Sequence, residues 1–410
     1  MSERQTTPPP PPGHRIPSEL LLEILSQTTP TLRYGRISER CSIIALSHVC
    51  RHWRSVALAT PSLWTYILFR CGQNGIPREL ACNRAWLLRS GQESLAIYID
   101  TSYSRAASKS AIELLLPHSL RWREIKAHTF DVDARIFSQI RGRIPMLESA
   151  ELDIAGSKTY INSTMPSALE AHLTQDLHHI LLSASNLSFL AVTLRRTLAR
   201  VVETITNSTI STLHLFTSAF NTDREDTTEY FLDHLALPAL RNLRAASNPG
   251  RSVISFVSRS ECKLASLHIR MFATPEFVEL MELLPGLREM SVEFKDVRLW
   301  DAMVECFTFT HDRHLTPNLR SLTMRWPLST DKVSLQNFAD MVESRWRPLG
   351  AALPVDASSI RSPLRHVKVD RCKPKAIVDA SFACPRLREF LEEGLDVMLL
   401  SNDLSPRELL

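Results

Sequence analysis

Six times between residues 210 and 369 an apolar residue is followed, three and five places later, by two more. The copies are Ile210-x-x-Leu213-x-Leu215, Leu240-x-x-Leu243-x-Ala245, Leu264-x-x-Leu267-x-Ile269, Leu287-x-x-Met290-x-Val292, Leu319-x-x-Leu322-x-Met324 and Leu364-x-x-Val367-x-Val369. No other feature constrains the fold as strongly. Residues two apart share one face of a strand, so the last two of each copy point the same way. The first lies just before the strand and turns inward. Weaker copies begin at Leu120, Leu147, Leu187 and Leu387. Between copies lie helical stretches such as 174–184, 229–235, 275–284 and 334–345. A lone unit cannot bury its own apolar face, but stacked units share a continuous core. The expected fold is therefore α/β: an irregular array over residues 119–396, with a parallel sheet on its concave side and return elements behind.

The stretch 16–69 follows a different rule. Pro17 bars a helix behind it, and Ser18 suits an N-cap. Glu19 and Glu23 sit where carboxylates favour the positive end of the helix dipole. Leu20, Leu21, Ile24 and Leu25 fall on one helical face. A second helix, over 42–59, would carry Leu46, Val49, Cys50, Trp53, Val56 and Ala57. A module this small buries little surface, so two tryptophans and an apolar rim imply a partner that completes the core.

The Ile16-Pro17 opening, the segment Leu46-Ser47-His48-Val49-Cys50-Arg51-His52-Trp53-Arg54 and the close Pro61-Ser62-Leu63-Trp64 resemble an F-box. The resemblance implies a short helical module that docks onto a Skp-family linker protein of a cullin complex. The residues it assigns to that contact are Ile16, Pro17, Leu20, Leu21, Ile24, Leu25, Leu46, Val49, Cys50, Trp53, Val56, Leu63 and Trp64. The polar insert at 28–41 departs from the family, whose first helix is followed more closely by the next. Some of the copies described above are spaced near the 20–29 residues of leucine-rich repeats. The family's inward Asn or Cys, eight places after the first Leu, appears only as Asn248 and Cys372; the other copies have Ser218, Phe272, Lys295 and Pro327. Together the two parts resemble F-box/leucine-rich-repeat substrate receptors, especially the divergent fungal kind. That implies a non-catalytic adaptor of a Skp–cullin–F-box ubiquitin ligase whose repeats hold an unnamed target protein. The alternative is an F-box repeat scaffold that acts without ligase activity. The expected division is 1–14 a Pro-rich tail, 15–70 the F-box, 71–118 a linker or first cap unit, 119–396 the array and 397–410 a C-terminal cap.

Composition narrows the partners. Across 410 residues the net charge is only +4, and the basic residues are scattered, which argues against nucleic acid. No apolar run reaches the roughly 20 residues of a membrane helix, and the Pro8–Pro12 run at the N-terminus is no secretory signal. The expected location is cytoplasm or nucleus. The eight cysteines form no C-x-x-C pair, so reduced thiols are expected. Arg follows the first position at Arg121, Arg241, Arg288, Arg320, Arg365 and Arg388. This reads either as a basic ladder for an acidic ligand or as a solvated position whose stem covers apolar surface.

No catalytic or cofactor motif was found. With eleven glycines and no G-x-G, dinucleotide and kinase loops are excluded, and no P-loop or G-x-S-x-G elbow occurs. His48 and His52 stand at i, i+4 around Cys50 but lack the Glu of a zinc-peptidase helix. His178-His179 diverge on a helix surface, and Asp223, Asp226 and Glu229 lack the Gly of a calcium loop. No cofactor or metal is expected.

Overall fold

The structure, a computed structural model, describes residues 16–28, 40–70, 75–101, 104–130, 140, 142–155, 181–194, 204–217, 227–245, 250–270, 274–294, 297–310, 315–325, 335–347, 364–370 and 380–399. The tail 1–14, most of the 28–41 insert, the stretches 156–169 and 349–363, His178, His179, Asp223, Asp226 and the six turn residues from Ser218 to Cys372 lie outside these. The chain divides into two compact units, Met1–Leu187 and Ser188–Leu410. The boundary falls within the copy Leu187-x-x-Leu190-x-Val192 of the sequence.

The first unit opens with α1 (Ser18–Gln27), α2 (Arg40–Ser47), α3 (Arg51–Ala59) and a 3-10 turn, Pro61–Trp64. It continues as β1 (Tyr66–Arg70), α4 (Ile76–Arg89), β2 (Leu95–Thr101), α5 (Arg105–Leu115), a 3-10 turn Leu116–Arg121, β3 (Trp122–Phe130) and β4 (Ser149–Ala155). These four strands pair in parallel and in chain order, Ile67 beside Ile97, Ile125 and Ala150, and Phe69 beside Ile99, Ala127 and Leu152. Ser104 caps α5 by accepting from the Ala107 N–H at 3.2 Å.

The second unit holds β5 (Phe189–Leu194), β6 (Ile205–Thr206), β7 (Thr212–Thr217), α6 (Thr227–Asp233), β8 (Leu235–Ala236) and β9 (Asn242–Ala245). Then helices and strands alternate: α7 (Gly250–Ser260), β10 (Ser266–Arg270), α8 (Thr274–Glu282), β11 (Glu289–Glu293), α9 (Val297–Phe307), β12 (Ser321–Arg325), α10 (Gln336–Trp346), β13 (His366–Asp370), α11 (Ala380–Glu392) and β14 (Asp396–Leu399). All but β6 and β8, which pair with each other, form one parallel sheet. The chain is thus a helical N-terminal region followed by mixed α/β structure with a large parallel sheet.

All six clear copies lie on strands of this sheet. Leu213, Leu243, Leu267, Met290, Leu322 and Val367 are register partners along it, as are Leu215, Ala245, Ile269, Val292, Met324 and Val369. Every one is buried, and so is each first residue from Ile210 to Leu364. A turn recurs ahead of the strands. The N–H of Leu147, Leu240, Leu287 and Leu319 donates to the carbonyl three residues earlier, at 3.1–3.2 Å. Pro145, Pro238, Pro285 and Pro317 occupy the second position of these turns, where their fixed φ suits a type I turn. The arginines after the first position stack through backbone: the carbonyls of Arg241, Arg288 and Arg320 each accept two N–H groups from the next unit. The Arg241, Arg288, Arg320 and Arg365 side chains are exposed.

Several expectations need correction. Parallel pairing begins at Tyr66, well ahead of residue 119, because Trp64-x-x-Ile67-x-Phe69 and Trp122-x-x-Ile125-x-Ala127 are copies with Trp in first place. The copy at Leu120 is out of register: Leu120 is 58% exposed while Trp122 is buried. Leu387 lies in α11, and the last strand, Asp396–Leu399, crosses the 396/397 boundary. Its place is fixed by Val397 pairing with Val367. Ser18 is helical, and Pro17, extended at ψ 146°, takes the N-cap place. The helix over 42–59 is two helices, broken at Cys50 in extended conformation. There Ser47 Oγ donates to the Ile44 carbonyl at 2.7 Å, and Ser, His, Val and Cys in a row favour helix weakly.

Candidate functional site

The N-terminal helices are held by a small core. Leu21 and Leu25 of α1, Ile43 of α2, Ala57 of α3 and Leu63 and Trp64 of the 3-10 turn are all buried. Trp64 is its keystone. Its Nε1 donates to the Ala57 carbonyl at 2.8 Å, its ring meets Trp86 edge-on at 4.9 Å, and the Arg89 guanidinium lies 4.4 Å from it. Because Trp64 also begins the first strand copy, one side chain joins the helical region to the sheet. His52 Nε2 lies 3.2 Å from the Ile16 carbonyl, tying the start of α1 to α3. That bond accounts for His52 without a metal, and His48 is exposed.

The thirteen residues assigned to a partner contact therefore separate into groups. Leu21, Leu25, Leu63 and Trp64 are buried within the chain; Ile16, Leu46, Cys50, Trp53 and Val56 are half-buried; Pro17, Leu20, Ile24 and Val49 are exposed. Leu20 and Ile24, at i and i+4, line one side of α1, about 100° around the helix from the buried pair Leu21 and Leu25. Leu20 is 59% exposed and Val49, in the break between α2 and α3, 57%. Burying an aliphatic side chain fully contributes about 1.5–3 kcal/mol, so roughly half of that is left unrealised at each. Ile44 and Leu58 extend the exposed apolar set, which the sequence reading missed. Both lie on the same helices as the assigned residues, and apolarity alone does not tell the buried face from the exposed one.

A second surface is the open face of the sheet in Ser188–Leu410, formed by the alternate residues of each strand. Its upper row is ion-paired. Glu293 lies 3.6 Å from both Arg270 and Arg325, and Arg325 Nε donates to Asp370 Oδ2 at 3.3 Å. On β10, burial and the charges of Arg244 and Arg325 push the pKa of His268 down to about 4, so its ring is neutral at pH 7. Among the described residues no cluster of three His, Cys, Asp or Glu side chains could hold a metal ion, and no helix is long and apolar enough to cross a membrane.

No curated protein matches the chain. The family model described as F-box-like matches residues 14–70, which takes in α1 to α3, the Trp64 turn and β1. F-box regions are protein-interaction adaptors, typically non-catalytic, and generally bind Skp-type linker proteins, and the N-terminal helices of this chain form such an F-box-like region.

Proposed function

We propose that this chain is the substrate-recognition adaptor of a Skp–cullin–F-box ubiquitin ligase, acting in cytoplasm or nucleus. The F-box-like region docks on the linker protein, and a leucine-rich-repeat-like array holds the target. The observation that carries the reading is the match at residues 14–70 together with apolar side chains left in solvent on those helices. Buried Leu21, Leu25, Leu63 and Trp64 shape the module, while Pro17, Leu20, Ile24 and Val49 make the contact, with half-buried Ile16, Leu46, Cys50, Trp53 and Val56 at its margin. For the array, the support is that copies 23 to 45 residues apart become register-matched parallel strands with helices between them. Large apolar anchors dominate such interfaces.

The test is calorimetry with a purified Skp-family linker protein, using Leu20→Glu/Val49→Asp as the control. Both positions are exposed, so the control keeps its fold. Binding that the double substitution removes supports the reading. No binding by folded protein, or binding indifferent to the substitutions, overturns it. Linker binding without cullin recruitment in a three-component pull-down would leave the scaffold alternative in its place.

A further inference from the structure

The middle row of the second sheet's open face is unlike the ion-paired row above it. By register it reads His214, Arg244, His268, Ser291, Thr323 and Lys368 on six successive strands. The row contains cations, imidazoles and hydroxyls and no carboxylate. Arg244 and Lys368 stand four strands apart, roughly 19 Å at ~4.8 Å per strand.

Arg244 is prepared for an anion. Its guanidinium lies over the Phe216 ring, 5.2 Å from its centroid. Its Nε is shielded from solvent and, among the described residues, has no hydrogen-bond partner. The nearby carboxylate, Glu293, is already shared between Arg270 and Arg325. Among the described residues neither Arg244 nor Lys368 makes an ion pair. A planar guanidinium with free donors matches a carboxylate bidentately.

We propose that this row binds an acidic peptide segment of the target laid across the strands, one Asp or Glu carboxylate on Arg244 and a second toward Lys368. The proposal rests on reading Ser188–Leu410 as the target-holding part of the adaptor. Counted over the upper and middle rows alone, Arg244, Arg270, Arg325 and Lys368 against Glu293 and Asp370 leave two more cations than anions, which two carboxylates neutralise. An extended chain advances about 3.3 Å per residue, so the two acids lie about six residues apart. Ser291 and Thr323 offer hydroxyls to the backbone between them.

The experiment is fluorescence anisotropy with the full chain and a labelled Ser/Gly dodecapeptide carrying two Glu six residues apart. The same peptide with Gln at both places is the comparison. The Glu peptide should bind at least tenfold more tightly. Arg244→Gln and Lys368→Gln should each weaken it about fivefold or more, whereas Arg241→Gln, on the exposed turn, should leave it unchanged. Equal binding of the two peptides overturns the proposal. So does an Arg244→Gln variant of native circular dichroism that binds as before, or stronger competition by a single-stranded 12-mer RNA than by unlabelled Glu peptide. The assay contains no linker protein, so its failure leaves the docking of the F-box-like region untouched, and failed docking leaves this titration readable.

Discussion

Replacing Arg345 by Met should destabilise the second unit by about 3 kcal/mol. Arg345 is buried in α10, 5% exposed, with no carboxylate on it among the described residues. Its guanidinium donates to the carbonyls of Phe307 at 2.6 Å, Leu315 at 2.8 Å and Thr316 at 3.3 Å. It also stacks on Phe309 at 4.1 Å. Burial pushes its pKa down to about 9, so the group is still a cation at pH 7. Hydrogen bonds from a charged donor contribute about 1.5–3 kcal/mol each, or roughly 4–9 for three. Desolvating an unpaired cation offsets several kcal/mol of this. The remainder, about 3 kcal/mol, has a structural meaning. Arg345 joins the end of α9 to the turn before β12, where Thr316 has φ of 47°, a left-handed conformation that a β-branched residue adopts at a cost of about 1–3 kcal/mol. Thermal melts read by circular dichroism should show a transition lowered by roughly 6–12 °C, at 2–4 °C per kcal/mol. Arg345→Lys should not rescue, because a compact ammonium cannot span three carbonyls and stack. A Met variant as stable as the parent, or more so, would refute the reasoning and show that desolvation outweighs the three bonds.

Two further outcomes follow from the same kind of geometry. Trp64→Phe keeps the aromatic contact with Trp86 but removes the donor to the Ala57 carbonyl, which should cost about 1–2 kcal/mol in a melt while linker binding by calorimetry persists; a folded variant that no longer binds would make Trp64 a contact residue. His268, held down to about 4 by burial, Arg244 and Arg325, with Glu293 opposing and His214 adding to the shift, binds fewer protons folded than unfolded between pH 4 and about 6.5. Its contribution is therefore intact above pH 6.5 and lost as pH falls toward 4. Compared with His268→Asn, the parent should lose about 1 kcal/mol over that window, after discounting for a partly exposed ring, and parallel pH profiles would contradict this.

What could be read in the sequence depended on which physical signal each part carries. Copies with Leu or Ile in first place were legible because period and apolarity coincide, and those six lie in register. The copies at Trp64 and Trp122 were not, because a search keyed to Leu passes over the larger ring that fills the same inward site. A further signal places the weaker copy at Leu147 with the clear ones: the Pro two places before the first Leu, in Ile144-Pro145-Met146-Leu147. Pro238, Pro285 and Pro317 share that place, and a turn with fixed φ precedes each strand. Leu387 misled in the opposite direction: Leu387 and Phe390 are three apart, which suits a helix face as well as a strand entry, and Pro385, although two places before Leu387, lies inside α11, so the Pro alone does not mark a strand.

The F-box-like region shows a different limit. In Leu20-Leu21-Leu22-Glu23-Ile24-Leu25 nearly every residue is apolar, so composition cannot say which face turns inward. Packing decides it: Leu21 and Leu25 are fully buried while Leu20 and Ile24 stay in solvent. An amphipathic helix that needed only its own chain would place polar residues where Leu20 and Ile24 stand. Two apolar faces on one short helix therefore carry separate information, the inner one about folding and the outer one, on the function proposed above, about association. The same logic separates Trp64 from Val49. Trp64, with its hydrogen bond and two ring contacts, has its contacts satisfied within the chain. Val49, in a break between helices and more than half exposed, has surface left for the docking proposed above. A residue list drawn from a family pattern mixes the two kinds, and substitution at the outer kind alone tests association without testing the fold.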